Sequence, residues 1–277
     1  MVHFNVGNDA PPIKTMTEEQ SDAHIVGVIF AQHFSLNKGL ELFGEKADAA
    51  VHKELTQIHK MDTYEPVHKS NLTFEDKKKS LALLMFITEK RNGDIKARKV
   101  ADGSNQHTYD CYDKSDGSSP TVATDSIFLT GVIDAKEQRA IAILDISNAF
   151  LHAENDEKVI MLLRGRLAEM MVQVDPSMYL KYVTYSSNGQ AMLYVRPSKA
   201  LYGMLRAALL FYKRLRSDLE NMDFEIKPYD LCVANKMVSG HQMTICWHVD
   251  DLKVSHKKKD AVTALALKLA SLYGPNL

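Results

Sequence analysis

The sequence predicts an α+β fold, an antiparallel sheet packed on helices, and three observations predict it. Short runs rich in β-branched and aromatic residues recur, with turn-forming pairs beside them at Asn92-Gly93, Asn188-Gly189 and Ser239-Gly240. The stretch Gln242–Ser255, QMTICWHVDDLKVS, sets two such runs, Met243–Val249 and Leu252–Val254, on either side of the adjacent carboxylates Asp250 and Asp251. Among these strand-like segments lies Ser198–Met222. There Leu201, Leu205, Ala208, Tyr212, Leu215 and Leu219 alternate steps of four and three, the spacing of one helix face.

Taken in order, residues 1–20 are polar, contain Pro11-Pro12 and read as a loose tail. Residues 38–60 read as one amphipathic helix with Leu40, Phe43, Ala47, Ala50, Val51 and Ile58 on one side, and Pro66 closes that region. Residues 1–75 are thus expected to be a lead-in, a tail and one helix, before a main domain over 76–277. The charge run EDKKKS at 75–80 reads as a solvated helix face. The apolar Leu81–Ile87 and the following EKRNGDIKARKV read as strand, turn, strand, which places Arg91, Lys96, Arg98 and Lys99 on a protruding basic hairpin.

Tyr109–Ser119 reads as a polar loop. Ser119-Pro120-Thr121 then offers an N-cap with proline at the first helical position, and the helix is expected to run to about Ala135 with Val122, Ile127 and Val132 inward. Ala140–Ile146 reads as a core strand ending at Asp145. Val159–Leu163 reads as a strand, Leu167–Val172 as a short helix, Asp175-Pro176 as the start of another, and Ala191–Val195 as a strand. On the 198–222 helix Lys199, Arg206 and Lys213 repeat every seven residues as a second face, either solvated or in contact with phosphates. Leu231–Val238 and Gln242–Val249 are the next strands, and Asp260–Tyr273 is a last helix, broken by Gly274-Pro275.

Composition narrows the function classes. The chain has 277 residues, 45% hydrophobic and 25% charged, enough for a substantial core or for two lobes sharing one. It has no apolar run long enough to span a bilayer, and its N-terminus lacks the pattern of a secretory signal. Three widely spaced cysteines, Cys111, Cys232 and Cys246, argue against a disulfide scaffold or a zinc knuckle and fit a reducing, intracellular compartment. Net charge is −1, so any nucleic-acid binding must rest on local basic patches.

The chemistry-bearing candidates are acids. Two carboxylates at a hairpin tip repel one another unless a cation joins them. Asp145 stands alone in the apolar AILDI, where a lone carboxylate is expensive to bury. Asp-Asp by itself is also an ordinary polar turn. With Asp145 it makes a three-carboxylate set suited to Mg²⁺, which takes hard oxygen ligands and leaves room for substrate phosphate. Two metals in such a site clamp the attacking and leaving oxygens of phosphoryl transfer.

Five segments in order carry a resemblance: IKARKVADGSNQ, SPTV, LDISNAFLHA, KALYGMLRAALLFYKRL and HVDD. HVDD resembles the YxDD box of reverse transcriptases, and the KALYG segment is similar to that of copia-type (Pseudoviridae-like) LTR retrotransposon polymerases. The match covers roughly Asp76 to Leu272. It implies the fingers and palm of a right-hand polymerase, here an RNA-directed DNA polymerase core from a Pol polyprotein. Asp145, Asp250 and Asp251 would be catalytic and, with the backbone of Ile146, would hold two Mg²⁺ ions, or Mn²⁺. Arg98 and Lys96 would meet the dNTP triphosphate. Phe150 would either pack in the core or lie under the incoming sugar and exclude a 2′-hydroxyl. Gly203 would let the nascent base pair approach the backbone. Lys199, Arg206, Lys213 and Lys253 would contact nucleic acid.

Two departures from the family pattern stand out. His248 occupies the usual tyrosine position, and Tyr202 the place where many retroviral enzymes carry glutamine. The implied partners are an RNA template, a DNA primer, dNTPs and other parts of the Pol polyprotein, in the cytoplasm within virus-like particles or in the nucleus. The residues after Tyr273 hold neither a thumb nor an RNase H domain. An alternative is therefore an inactive retrotransposon-derived remnant that keeps the fold and weak nucleic-acid binding. A third reading, a two-metal nuclease, needs neither the aromatic nor the basic hairpin.

Overall fold

A computed structural model describes residues 33–106 and 117–275. The tail expected at 1–20, Cys111 and most of the 109–119 loop lie outside the described residues. The first elements are β1 (Phe34–Ser35), α1 (Leu36–Phe43), α2 (Glu45–Lys60), β2 (Tyr64–Val67), α3 (Phe74–Lys78), β3 (Leu81–Glu89) and β4 (Ile95–Ala101). Then come α4 (Thr124–Glu137), β5 (Ala140–Asp145), β6 (Met161–Arg164), α5 (Arg166–Val174), α6 (Pro176–Tyr179), β7 (Thr184–Tyr185) and β8 (Ala191–Pro197). The chain continues through α7 (Ala207–Glu220), β9 (Glu225–Lys227), β10 (Asp230–Val238), β11 (His241–His248), β12 (Asp251–His256) and α8 (Lys259–Tyr273). The result is a mixed α/β fold with two sheets and, among the described residues, eight helices. None of those helices is long and apolar enough to cross a membrane.

The seven-stranded sheet runs β1-β3-β6-β8-β2, with β4 on β3 and β7 on β8. Its β3–β6 pair is parallel and its other pairs are antiparallel. The five-stranded sheet runs β5-β12-β11-β10-β9 and is antiparallel throughout. One apolar cluster joins the two, from Val51 and Leu55 on α2 through Leu163 and Leu193 to Trp247 and Val254. Packing is continuous across residues 75/76. β1 pairs with β3, β2 pairs with β8, and α2 buries Ala47, Val51, Leu55 and Ile58 in the shared core. Pro66 sits inside β2 instead of closing the region; β2 is a sheet edge, where a missing N–H is tolerated.

Three helices differ from the expectation. The single helix expected over 38–60 is two, because Gly44 turns the chain between them at φ 52. The helix expected from Ser119-Pro120 begins at Thr124. Its N-cap is Ala123, whose N–H donates to the Asp230 carboxylate at 2.9 Å. This helix, α4, also turns its other face inward. Ser126, Thr130 and Asp134 are buried, Ile127 and Val132 are exposed, and Val122 is half-buried. The reason is the surface it meets: Thr130 contacts Cys246 at 3.6 Å and Lys253 at 2.9 Å, and Arg139 just beyond the helix reaches Thr244 at 3.2 Å.

The third is the long helix expected over 198–222, which is helical only as α7, over Ala207–Glu220. Its inward residues, Phe211, Tyr212, Leu215 and Leu219, are buried as the spacing predicts. Residues before it are drawn away to meet β4: Ala101 N–H donates to the Tyr202 carbonyl at 2.7 Å and Leu205 N–H to the Gln106 side chain at 2.9 Å. Lys199, Arg206 and Lys213 therefore do not share one helix face.

Candidate active site

The acidic corner is built by strand register. β11 and β12 form a hairpin whose last pair is His248 with Asp251, leaving Val249 and Asp250 as a two-residue loop. β12 pairs on its other side with β5, and Asp251 stands opposite Asp145. The Ile146 N–H donates to the Asp250 carbonyl at 2.9 Å, extending the pairing one step past the strand end. Asp145 thus meets the adjacent pair Asp250 and Asp251, distant from it in the chain, at one end of one sheet. Asp145 and Asp251 project from facing positions on neighbouring strands, where opposed Cα atoms are ~4.5–5.5 Å apart.

The corner carries strain and charge. Val249 has φ 56, and Asp250 is not in the positive-φ region, which is the sign pattern of a II′ hairpin turn. Glycine normally takes that first position; a β-branched residue there is strained. The Asp250 carboxyl is pushed up by desolvation, with smaller upward pushes from the neighbouring Asp251 and Asp145; a hydrogen bond from its own backbone N–H and the nearby His248 partly offset this. Such a set favours a bound cation, and its oxygen donors suit a hard divalent ion. Among the described residues, no group of three acidic, histidine or cysteine side chains is already converged into a metal cluster. The convergence here is one of backbone positions.

Phe150 lies five residues beyond Asp145, in a 3-10 turn over Ala149–His152. Its ring is half-buried, stacks on Tyr202 at 5.7 Å with planes 25° apart, and meets Phe211 edge-on at 6.2 Å. Phe150 thus packs against the core while part of its ring stays accessible. Lys96 and Arg98 are exposed on one face of β4. Lys99 is not on the basic surface of that hairpin. It is 5% exposed and donates to Glu54 at 2.7 Å, because period-two alternation turns it toward the core.

The remaining basic candidates divide. Lys213 is exposed on α7. Lys199 is paired with Glu154, and Arg206 with Asp156 at 2.9 Å and Glu157 at 3.6 Å. Lys253 lies under α4, paired with Asp134 at 2.7 Å, and its side chain keeps 18% exposure. Gly203 has an internal reason to be glycine. Its φ is 93, and a Cβ there would stand 2.1 Å from the Ala101 carbonyl oxygen and 2.7 Å from Val100. Gly103 meets the Gly203 carbonyl just as closely, so the two loops cross without side chains. Sequence reasoning missed Gln106, almost fully buried and tied to Leu205, and Asp230, which holds the start of α4.

An acidic hairpin thus pairs with an acid-tipped strand in one sheet, beside a second sheet that carries a basic hairpin. Residues 75–274 match the family model described as reverse transcriptase (RNA-dependent DNA polymerase), and the chain belongs to that family. It is 29% identical over 230 residues to the Transposon Ty1-NL2 Gag-Pol polyprotein of Saccharomyces cerevisiae, and 28% identical over 232 residues to the Ty1-DR4 polyprotein of the same yeast. Each alignment covers 83% of this chain but only 12% and 13% of those polyproteins. The chain is a reverse transcriptase region of the copia-type LTR retrotransposon kind.

Proposed function

We propose that this chain is the fingers and palm of an RNA-directed DNA polymerase, extending a DNA primer on an RNA template. The seven-stranded sheet would be the fingers and the five-stranded sheet the palm. The observation that carries the reading is the Asp145–Asp251 register pair with the Ile146 N–H on the Asp250 carbonyl. Without it the three acids would have no common ligand.

Asp145, Asp250 and Asp251 would hold two Mg²⁺ ions, with Mn²⁺ as substitute and the Ile146 backbone as a further ligand. Bound there, the ions supply activation of the primer 3′-hydroxyl and neutralisation of the triphosphate. The protein's own groups do the rest. Arg98, with its forked donors, and Lys96 meet the triphosphate oxygens from the exposed face of β4. The Phe150 ring lies under the incoming sugar and leaves no space for a 2′-hydroxyl. Lys213 contributes to a phosphate-tracking surface, and binding to template–primer weakens steeply with salt. Partners in this reading are the template, the primer, dNTPs and the rest of a Pol polyprotein, within the cytoplasm or nucleus.

The test is dNTP incorporation on poly(rA)/oligo(dT) with Mg²⁺. Asp250→Asn is expected to lower incorporation at least a thousandfold while leaving the circular dichroism spectrum unchanged. Incorporation unaltered by that change rules out the site. Salt-sensitive binding to primed RNA with no incorporation by the wild type favours the inactive remnant instead.

A further inference from the structure

Glu54, Lys99 and Asn148 come from three separate parts of the chain and meet beneath the loop that carries Phe150. Lys99 on β4 donates to Glu54 of α2 at 2.7 Å and to the Asn148 side-chain oxygen at 3.3 Å. The Lys99 side chain is 6% exposed and that of Glu54 20%. A buried ion pair is a poor device for stability, because desolvation offsets most of the attraction. Burial pulls the Lys99 ammonium's pKa down, and Glu54 pulls it back up. An apolar residue would fill the same space more cheaply. What an apolar residue could not do is hold Asn148.

Asn148 sets the path of its loop. It lies in the left-handed region at φ 54, which asparagine tolerates better than most residues. Its carbonyl accepts from the Leu151 N–H at 2.8 Å and so opens the 3-10 turn over Ala149–His152. Two residues on, Phe150 is stopped on its other side by Tyr202 and Phe211. The loop is thus pinned from below by a buried cation and from beside by two rings. The opposite end of the same loop is the Ile146 N–H on Asp250.

We propose that the Glu54–Lys99 pair is a positioning device acting through Asn148. It fixes where Phe150 stands, and so tunes discrimination between deoxyribonucleotides and ribonucleotides. The discrimination part rests on the polymerase reading above; the positioning part does not. It also gives α2, assigned no role by its sequence, a function in the nucleotide site.

Two variants separate positioning from plain stability. Asn148→Gly keeps the left-handed backbone and leaves the ion pair intact, removing only its link to the loop. The double change Glu54→Met with Lys99→Met replaces the pair by apolar groups and is expected to leave the thermal midpoint close to wild type. Both are expected to raise ribonucleotide relative to deoxyribonucleotide incorporation by about tenfold, with KM for dNTP rising more than kcat falls. Both are also expected to speed amide hydrogen exchange in peptides covering 146–153, but not in those covering β11 and β12.

Unchanged exchange in 146–153 overturns the positioning device whether or not the chain polymerises. Faster exchange with an unchanged incorporation ratio overturns its link to sugar selection. A wild type that incorporates nothing defeats the polymerase reading instead, and the exchange measurement still decides the device. If the wild type is active and Phe150→Val fails to relax sugar selection, the link between the device and sugar selection is overturned at Phe150.

Discussion

Of the helices packed on the five-stranded sheet, α7 and α4 lie on opposite faces, and they bury opposite kinds of residue. On one face α7 turns in Phe211, Leu215 and Leu219, and Tyr212 stacks on Trp247 with planes 25° apart. On the other, α4 turns in Ser126, Thr130 and Asp134 and leaves Ile127, Phe128, Leu129 and Val132 outside. The difference lies in the strands. Met243, Ile245, Trp247, Leu252 and Val254 point to the α7 face, and the alternating residues Thr244, Cys246, Lys253 and Ser255 to the α4 face. A helix buries whichever side complements the surface it meets. The polar face is also the face on which Asp145 and Asp251 stand, in line with Ile143 and Lys253.

The comparison breaks most readily at α7. Leu215 is fully buried in the shared core. Leu215→Ala is expected to destabilise the fold by about 2–5 kcal/mol, read as a lowered urea midpoint with an unchanged slope. The polar face gives a smaller effect of a different kind. Asp134→Ala leaves the Lys253 ammonium under α4 with only the Thr130 hydroxyl to accept its protons. A loss of about 1–3 kcal/mol is expected, discounted because the Lys253 side chain keeps 18% exposure. Adding Lys253→Met should recover most of that loss. If the double change is as unstable as the single one, the two residues do not act as a pair.

These contrasts explain what the sequence could reveal. The hairpin and Asp145 were legible because strand alternation and a doubled acid are local signals, and register then follows from the apolar Leu144, Leu252 and Trp247. Helix α7 was legible from its stripe, but its start was not. Residues 198–206 have helical spacing, yet Gly203 and Gln106 bind them to β4 through contacts about a hundred residues away in sequence. The orientation of α4 was illegible for a related reason. Periodicity marks two faces of a helix and leaves the choice between them to a partner surface assembled from distant strands. The Glu54–Lys99–Asn148 link joins three segments with no common pattern, and Lys99 read as one more charge in a basic run.

The smallest effect sharpens the comparison most, because its size depends on which side of α4 faces the sheet. Phe128 is 69% exposed, so truncating it removes little buried apolar area. Phe128→Ser should change folding stability by no more than about 0.5 kcal/mol, the range for surface positions. Had the side of the helix that carries Phe128 faced the sheet, the same change would remove a core side chain and lower stability by about 3–5 kcal/mol. Urea titration distinguishes those outcomes, and a loss above about 1 kcal/mol would show that α4 sits the other way round. Paired with Thr130→Val, the reading becomes two-sided. Thr130 hydrogen-bonds Lys253 and contacts Cys246, so removing its hydroxyl should be felt where removing an entire phenyl ring is not.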